Sequence, residues 1–165
     1  MSRKFSLSLF ISLMLCFGAA AVEYVYPVTP FDPTQAQVLL ERGSLPVSGR
    51  LKSSLHANVS VGLYPLTEHF EQYLQLQDQL ADQPGQSPAI DLRARGCRRL
   101  VNAKDGAFAF DDVKPGRYYL EWPAMYNRGD SPEIDAIFDG GGCVRFLASH
   151  GRIIEVKEGG LVLEL

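Results

Sequence analysis

The residues able to do chemistry in this chain are few and scattered. Its three histidines, His56, His69 and His150, stand far apart, without the His-x-x-x-His type of spacing that closes on one metal ion. They read as solvated or hydrogen-bonded side chains. Ser149-His150 and Ser54-x-His56 bring a hydroxyl near an imidazole along the chain, but neither sits in a nucleophile elbow, so neither predicts acyl transfer. Asp130, Glu133, Asp135 and Asp139 gather carboxylates near glycines. Calcium needs several converging oxygens, and this spacing matches no EF-hand loop, so a solvated acidic loop is expected. The pattern predicts no catalytic residue, no metal ligand and no cofactor.

Two short motifs also stand out. Arg128-Gly129-Asp130-Ser131-Pro132 copies the integrin-binding loop of fibronectin, but Gly129, Asp130 and Pro132 each favour a turn on their own account, and a turn is the expectation. Asn58-Val59-Ser60 is a glycosylation acceptor only in a eukaryotic source.

The compartment frames the cysteines. Arg3 and Lys4 precede an apolar run over 5–17, and Gly18-Ala19-Ala20-Ala21 follow, the pattern of a signal peptide cut after Ala21. The run is shorter than the roughly 20 residues of a membrane span, and Ser12 interrupts it. Cys16 follows Leu15 and not the small residue that lipidation prefers, so no membrane tether is expected. Removing 1–21 leaves 144 residues, with 14 basic against 19 acidic side chains and a net charge of −5. No basic run remains to neutralise phosphates, which argues against nucleic acid as a partner. Cys97 and Cys143 survive as an even pair. In an oxidising compartment they are expected to form a disulfide contributing about 3–4 kcal/mol. The periplasm is the expected location, with the extracellular space as the alternative.

Any site must be positioned by the elements around it. Residues 22–44 read as an extended, proline-punctuated arm followed by a short helix over 33–42, with Asp32 as cap, Pro33 in the first turn and Gly43 as its stop. From residue 45 onward Val47, Gly49 and Leu51 alternate with polar neighbours, as do Ala57, Val59, Val61 and Leu63, which argues for strands with one buried face. Thr67 and Pro84-Gly85 bracket a helical insertion near 68–82 with Phe70, Tyr73, Leu74 and Leu80 along one stripe. Asp105-Gly106 marks a tight turn before Phe108 and Phe110, and Pro115-Gly116 marks the next, before Tyr118, Leu120 and Trp122. After a loop over 126–142, strands resume at 143–148, 153–156 and 161–165. The class is all-β, a sandwich of about seven strands with one or two short helices.

The stretch from Asn102 to Leu120 resembles the carboxypeptidase regulatory-like family. Asp105, Gly106, Phe108, Phe110, Val113, Pro115, Gly116, Tyr118 and Leu120 occupy that family's positions for an Asp-Gly turn, an aromatic strand, Val-x-Pro-Gly and Tyr-x-Leu. Val47-x-Gly49 is similar to its opening hairpin, and 154–156 and 161–165 to its closing strands. The resemblance implies an immunoglobulin-like, prealbumin-like sandwich over 45–165. There Tyr118 would return its hydroxyl to the preceding loop as a tyrosine corner does. It also implies a non-catalytic accessory module. Enzymes on related sandwiches need features this chain does not carry: hydroxyisourate hydrolase has Tyr-Arg-Gly-Ser where this chain has Val162-Leu163-Glu164-Leu165, and intradiol dioxygenases bind iron through His-x-His.

The leading expectation is an exported module for structural or protein–protein roles, its partner a protein or another cell-envelope component. The first alternative is a carbohydrate- or peptide-binding module using Tyr73, Tyr126 and Phe138 for contacts. The second is a small hydrolase, which would need His56 or His150 beside a Ser or Asp in a cleft.

Overall fold

Period-two alternation becomes paired strands in the computed structural model, which describes residues 21–51, 59–123 and 149–165. In chain order the elements are β1 (Glu23–Val25), α1 (Pro33–Leu40), β2 (Leu45–Arg50), β3 (Val59–Pro65), α2 (Glu68–Leu80), β4 (Gln86–Pro88), α3 (Leu92–Gly96), β5 (Arg99–Ala103), β6 (Ala107–Val113), β7 (Gly116–Pro123), β8 (Ser149–Val156) and β9 (Leu161–Glu164). The described chain is therefore mostly β, with three short helices where one or two were expected. The third is α3, whose five residues are too few to show helical periodicity.

Strands β6-β2-β9 form one sheet and β5-β3-β7-β8 another, while β1 pairs with β4 in a separate parallel ribbon. The two larger sheets share one apolar cluster, to which β2 gives Val47, β3 gives Val61 and Leu63, β6 gives Phe108 and Phe110, β7 gives Tyr118 and Leu120, and β8 gives Ile154 and Val156. Ala107 and Ala109 are exposed, so the side chains of β6 alternate between interior and solvent over 107–110, until the exposed pair Asp111 and Asp112 breaks the pattern. Burying a ring such as that of Phe110 stabilises the fold by about 1.5–3 kcal/mol.

Local chemistry sets the connections. Asp105 and Gly106 take φ of 50° and 78°, the left-handed pair that a two-residue hairpin demands, and Lys104 and Ala107 exchange backbone hydrogen bonds of 2.8 and 2.9 Å across them. Because β5 and β6 belong to different sheets, this turn carries the chain from one sheet to the other. Asp112 has φ 56° where the register between β2 and β6 shifts, and Arg99 reaches from β5 to donate to the carbonyls of Asp111 and Asp112. The Tyr118 hydroxyl lies 3.0 Å from the carbonyl of Lys114, four residues back, and 3.1 Å from that of Leu39 at the end of α1. One hydroxyl proton thus ties the β6–β7 turn to the arm.

The caps form as Ser/Thr/Asp chemistry dictates: Asp32 accepts from Thr34 and Gln35, and Thr67 accepts from Phe70. Gly43 plays a different part from the helix stop expected of it. Helix α1 ends at Leu40 with Glu41 as its cap, while the Gly43 amide donates to Asp112 at 2.7 Å and any β-carbon there would collide with the Val113 backbone. Close approach to the β6–β7 turn, not helix termination, requires glycine at this position. Thr29 fastens the arm to α2, exchanging side-chain and backbone hydrogen bonds with Gln72 and Glu68.

Candidate functional site

The outer face of the β5-β3-β7-β8 sheet is divided in two. Helix α2 covers one part, where Tyr64, Leu66 and Phe70 make a buried cluster with Leu74, Ile90 and Tyr119 against it. The rest is an open cleft of about 550 Å³. Its floor follows the strand register: Leu100 pairs with Gly62, Gly62 with Glu121, and Glu121 with Gly151. A carboxylate therefore stands between two glycines. A β-carbon at Gly62 would come within 2.9 Å of the Tyr64 ring, and one at Gly151 would collide with the Tyr119 phenol. The glycines leave room for the two tyrosines to lie beside Glu121.

Glu121 organises the polar groups around it. Tyr64 donates its hydroxyl to one carboxylate oxygen at 2.7 Å, and Ser149 donates to the other at 2.9 Å. Arg95, on α3, lies 3.6 Å from the latter oxygen and donates to Tyr73 at 3.4 Å. Arg98, between α3 and β5, donates to Tyr64 at 2.9 Å and sits over its ring, 5.7 Å from the centroid. Burial, reinforced by the hydrogen bond to Glu121, raises the Tyr64 phenol above its ordinary value. Burial also pushes Tyr119 up to about 12, with the Glu121 charge adding to it. Both phenols thus stay neutral donors over the physiological range. Trp122 and Pro123 complete the wall.

The residues singled out from sequence lie elsewhere. Asp105, Gly106, Pro115 and Gly116 sit at turns, and Phe108, Phe110, Tyr118 and Leu120 are buried between the sheets. Cys97 is half-buried at the C-terminal cap of α3, and its expected partner Cys143 lies outside the described residues. Outside them as well lie 1–20 with Cys16, His56, Asn58, the 126–142 loop with Tyr126, Phe138 and the Arg-Gly-Asp motif, and the strand expected at 143–148. Tyr73 is not a contact aromatic. It is 6% exposed, packs edge-on against Phe70 at 6.0 Å and supports Arg95 from behind.

His69 is buried on α2, with Nδ1 donating to the Thr29 carbonyl at 2.7 Å and Nε2 accepting from the Asp91 amide at 3.4 Å. His150 stands opposite Trp122 in the β7–β8 ladder, ring centroids 5.9 Å apart. Among the described residues, neither histidine is hydrogen-bonded to a Ser or Asp side chain. Among the described residues no three His, Cys, Asp or Glu side chains converge as metal ligands, and no helix is long and apolar enough to cross a membrane. Reading the sequence missed Glu121, Tyr64, Arg95 and Arg98, and weighed Ser149 only as a neighbour of His150. The one local signal was a glutamate placed in a strand between buried Leu120 and half-buried Trp122.

No protein-family model matches the chain, and no curated protein does either. A solved structure from Pseudomonas aeruginosa, of a protein proposed to bind carbohydrate, is similar in fold. Its TM-score is 0.53 at 18% sequence identity, over 86% of this chain and 97% of that one.

Proposed function

We propose that this chain is a non-catalytic, exported sandwich of the immunoglobulin-like, prealbumin-like type that binds carbohydrate in the cleft around Glu121. One observation carries the reading: a carboxylate held between two glycines, with two arginines, a tyrosine and a serine hydroxyl within reach. Sugar hydroxyls both donate and accept, so a site for them needs fixed acceptors and donors side by side with an apolar surface. Glu121 supplies the acceptor, Arg95 and Arg98 the donors, and Leu100 with Pro123 the apolar surface. The similar solved structure, proposed to bind carbohydrate, supports the same reading. Cys97 and Cys143 would staple the module in the periplasm, the proposed location.

The test is a glycan-array screen followed by calorimetric titration of the folded, processed chain. Glu121→Gln, which keeps the shape and removes the charge, is expected to weaken binding by about tenfold or more while leaving the circular dichroism spectrum unchanged. Binding unaffected by Glu121→Gln, or no glycan bound at all, refutes the reading.

A protein-binding role is favoured by one separate feature, the arm, where Tyr24, Tyr26 and Val28 are 64%, 59% and 95% exposed. Replacing Tyr24 and Tyr26 with serine would abolish capture of a partner from an envelope extract on this reading and leave sugar binding intact.

A further inference from the structure

The cleft differs in charge from the protein that carries it. The whole chain is acidic, with a net charge of −3. The described lining of the cleft, by contrast, holds two guanidinium groups and one carboxylate. That carboxylate is already answered, since Tyr64 and Ser149 donate to Glu121 and Arg95 lies 3.6 Å from it. Arg98 is the cation left over. Among the described residues no carboxylate lies within ion-pair distance of it. One of its N–H groups is given to Tyr64, and its Cζ lies over the same ring, 5.7 Å from the centroid, which positions the guanidinium without neutralising it. A fixed guanidinium with unspent donors at an open cleft is suited to a carboxylate, which it meets with two parallel hydrogen bonds.

We infer that the cleft takes an acidic saccharide, a sugar chain bearing carboxylates, with one carboxylate seated on Arg98 and neighbouring hydroxyls on Glu121 and Ser149. The inference rests on the carbohydrate reading above and narrows it. Glu121 then has a second task, repelling a ligand whose carboxylate arrives in the wrong register. Steering by the two arginines offsets the repulsion that an acidic ligand meets from the rest of the surface.

A short oligogalacturonate and its methyl ester share one backbone and differ in charge, so they separate the two claims. Titrated into the full chain at low ionic strength, the acid is expected to bind at least about tenfold more tightly than the ester, and the advantage is expected to shrink with added salt. Arg98 is exposed, so Arg98→Gln should leave the fold intact. It is expected to bring acid and ester to parity, while Arg98→Lys retains part of the preference. Equal binding of acid and ester by the unaltered chain overturns the inference and leaves the carbohydrate reading standing. So does selective binding of neutral glycans. A polyglutamate chain bound as tightly as the oligogalacturonate overturns it too, because attraction would then be to charge alone. Failure to bind any glycan defeats both readings together.

Discussion

On its inner face the β5-β3-β7-β8 sheet presents Val59, Val61, Leu63, Tyr118 and Leu120, all buried. On its outer face the same strands present Ser60, Gly62, Tyr64, Tyr119 and Glu121. Apart from the Tyr118 hydroxyl, the inner side chains are held by shape and exclusion of water, so apolar sets that conserve volume would serve at modest cost. The outer ones are held by particular partners, such as the Tyr64 hydroxyl on Glu121 or the phenol of Tyr119 over Gly151. The lesson is a division of labour between the sides of one sheet. Substitutions on the inside should cost stability and spare recognition, and those on the outside should do the reverse.

The sharpest break would come from Phe110→Ala. The ring is fully buried between the sheets, so the change is expected to destabilise the fold by about 3–5 kcal/mol in urea titration. Whatever fraction remains folded should bind glycan with unchanged affinity. Gly151→Ala attacks the outer face instead: the new methyl displaces Tyr119, with an expected loss of about 1–3 kcal/mol and a larger loss of binding, read by denaturation and calorimetry on the same sample. Tyr118→Phe removes only the hydroxyl that reaches Lys114 and Leu39, worth about 1 kcal/mol, and should not touch the cleft.

The gentlest probe is alkali. Tyr119 ionises near 10 when unfolded but only near 12 when folded, so the unfolded chain gains from deprotonation first. Stability should be intact below pH 10 and fall as pH rises towards 12, with the phenolate absorbance of Tyr119 lagging behind that of the unfolded chain. If the phenolate appears without any loss of stability, the burial assigned to Tyr119 is wrong.

The core between the sheets was legible in the sequence because its signals are local. Phe108 and Phe110 alternate with alanines, and Asp105-Gly106 supplies the backbone angles a two-residue hairpin needs, so neighbours a few positions apart suffice to read them. The cleft was not legible. Tyr64, Arg95, Arg98, Glu121 and Ser149 come from β3, α3, the α3–β5 link, β7 and β8, and each looks in isolation like an ordinary solvent-facing residue. Strand register and the placement of α3 over the sheet bring them together, and both are long-range information. Tyr73 misled for a related reason: a helix shows a stripe of apolar residues but not which neighbour covers it. Gly43 was read as punctuation because the Val113 backbone it must admit lies far along the chain.

Strand β2 lies between β6, which runs antiparallel to it, and β9, which runs parallel, so Val47 has Leu161 as its cross-strand neighbour. During synthesis from the amino end β9 emerges long after β2. Until then β2 offers an unsatisfied edge on which a second molecule can add a strand. Such distant pairing makes for slow folding, because the loop between the two strands must close before their contacts form.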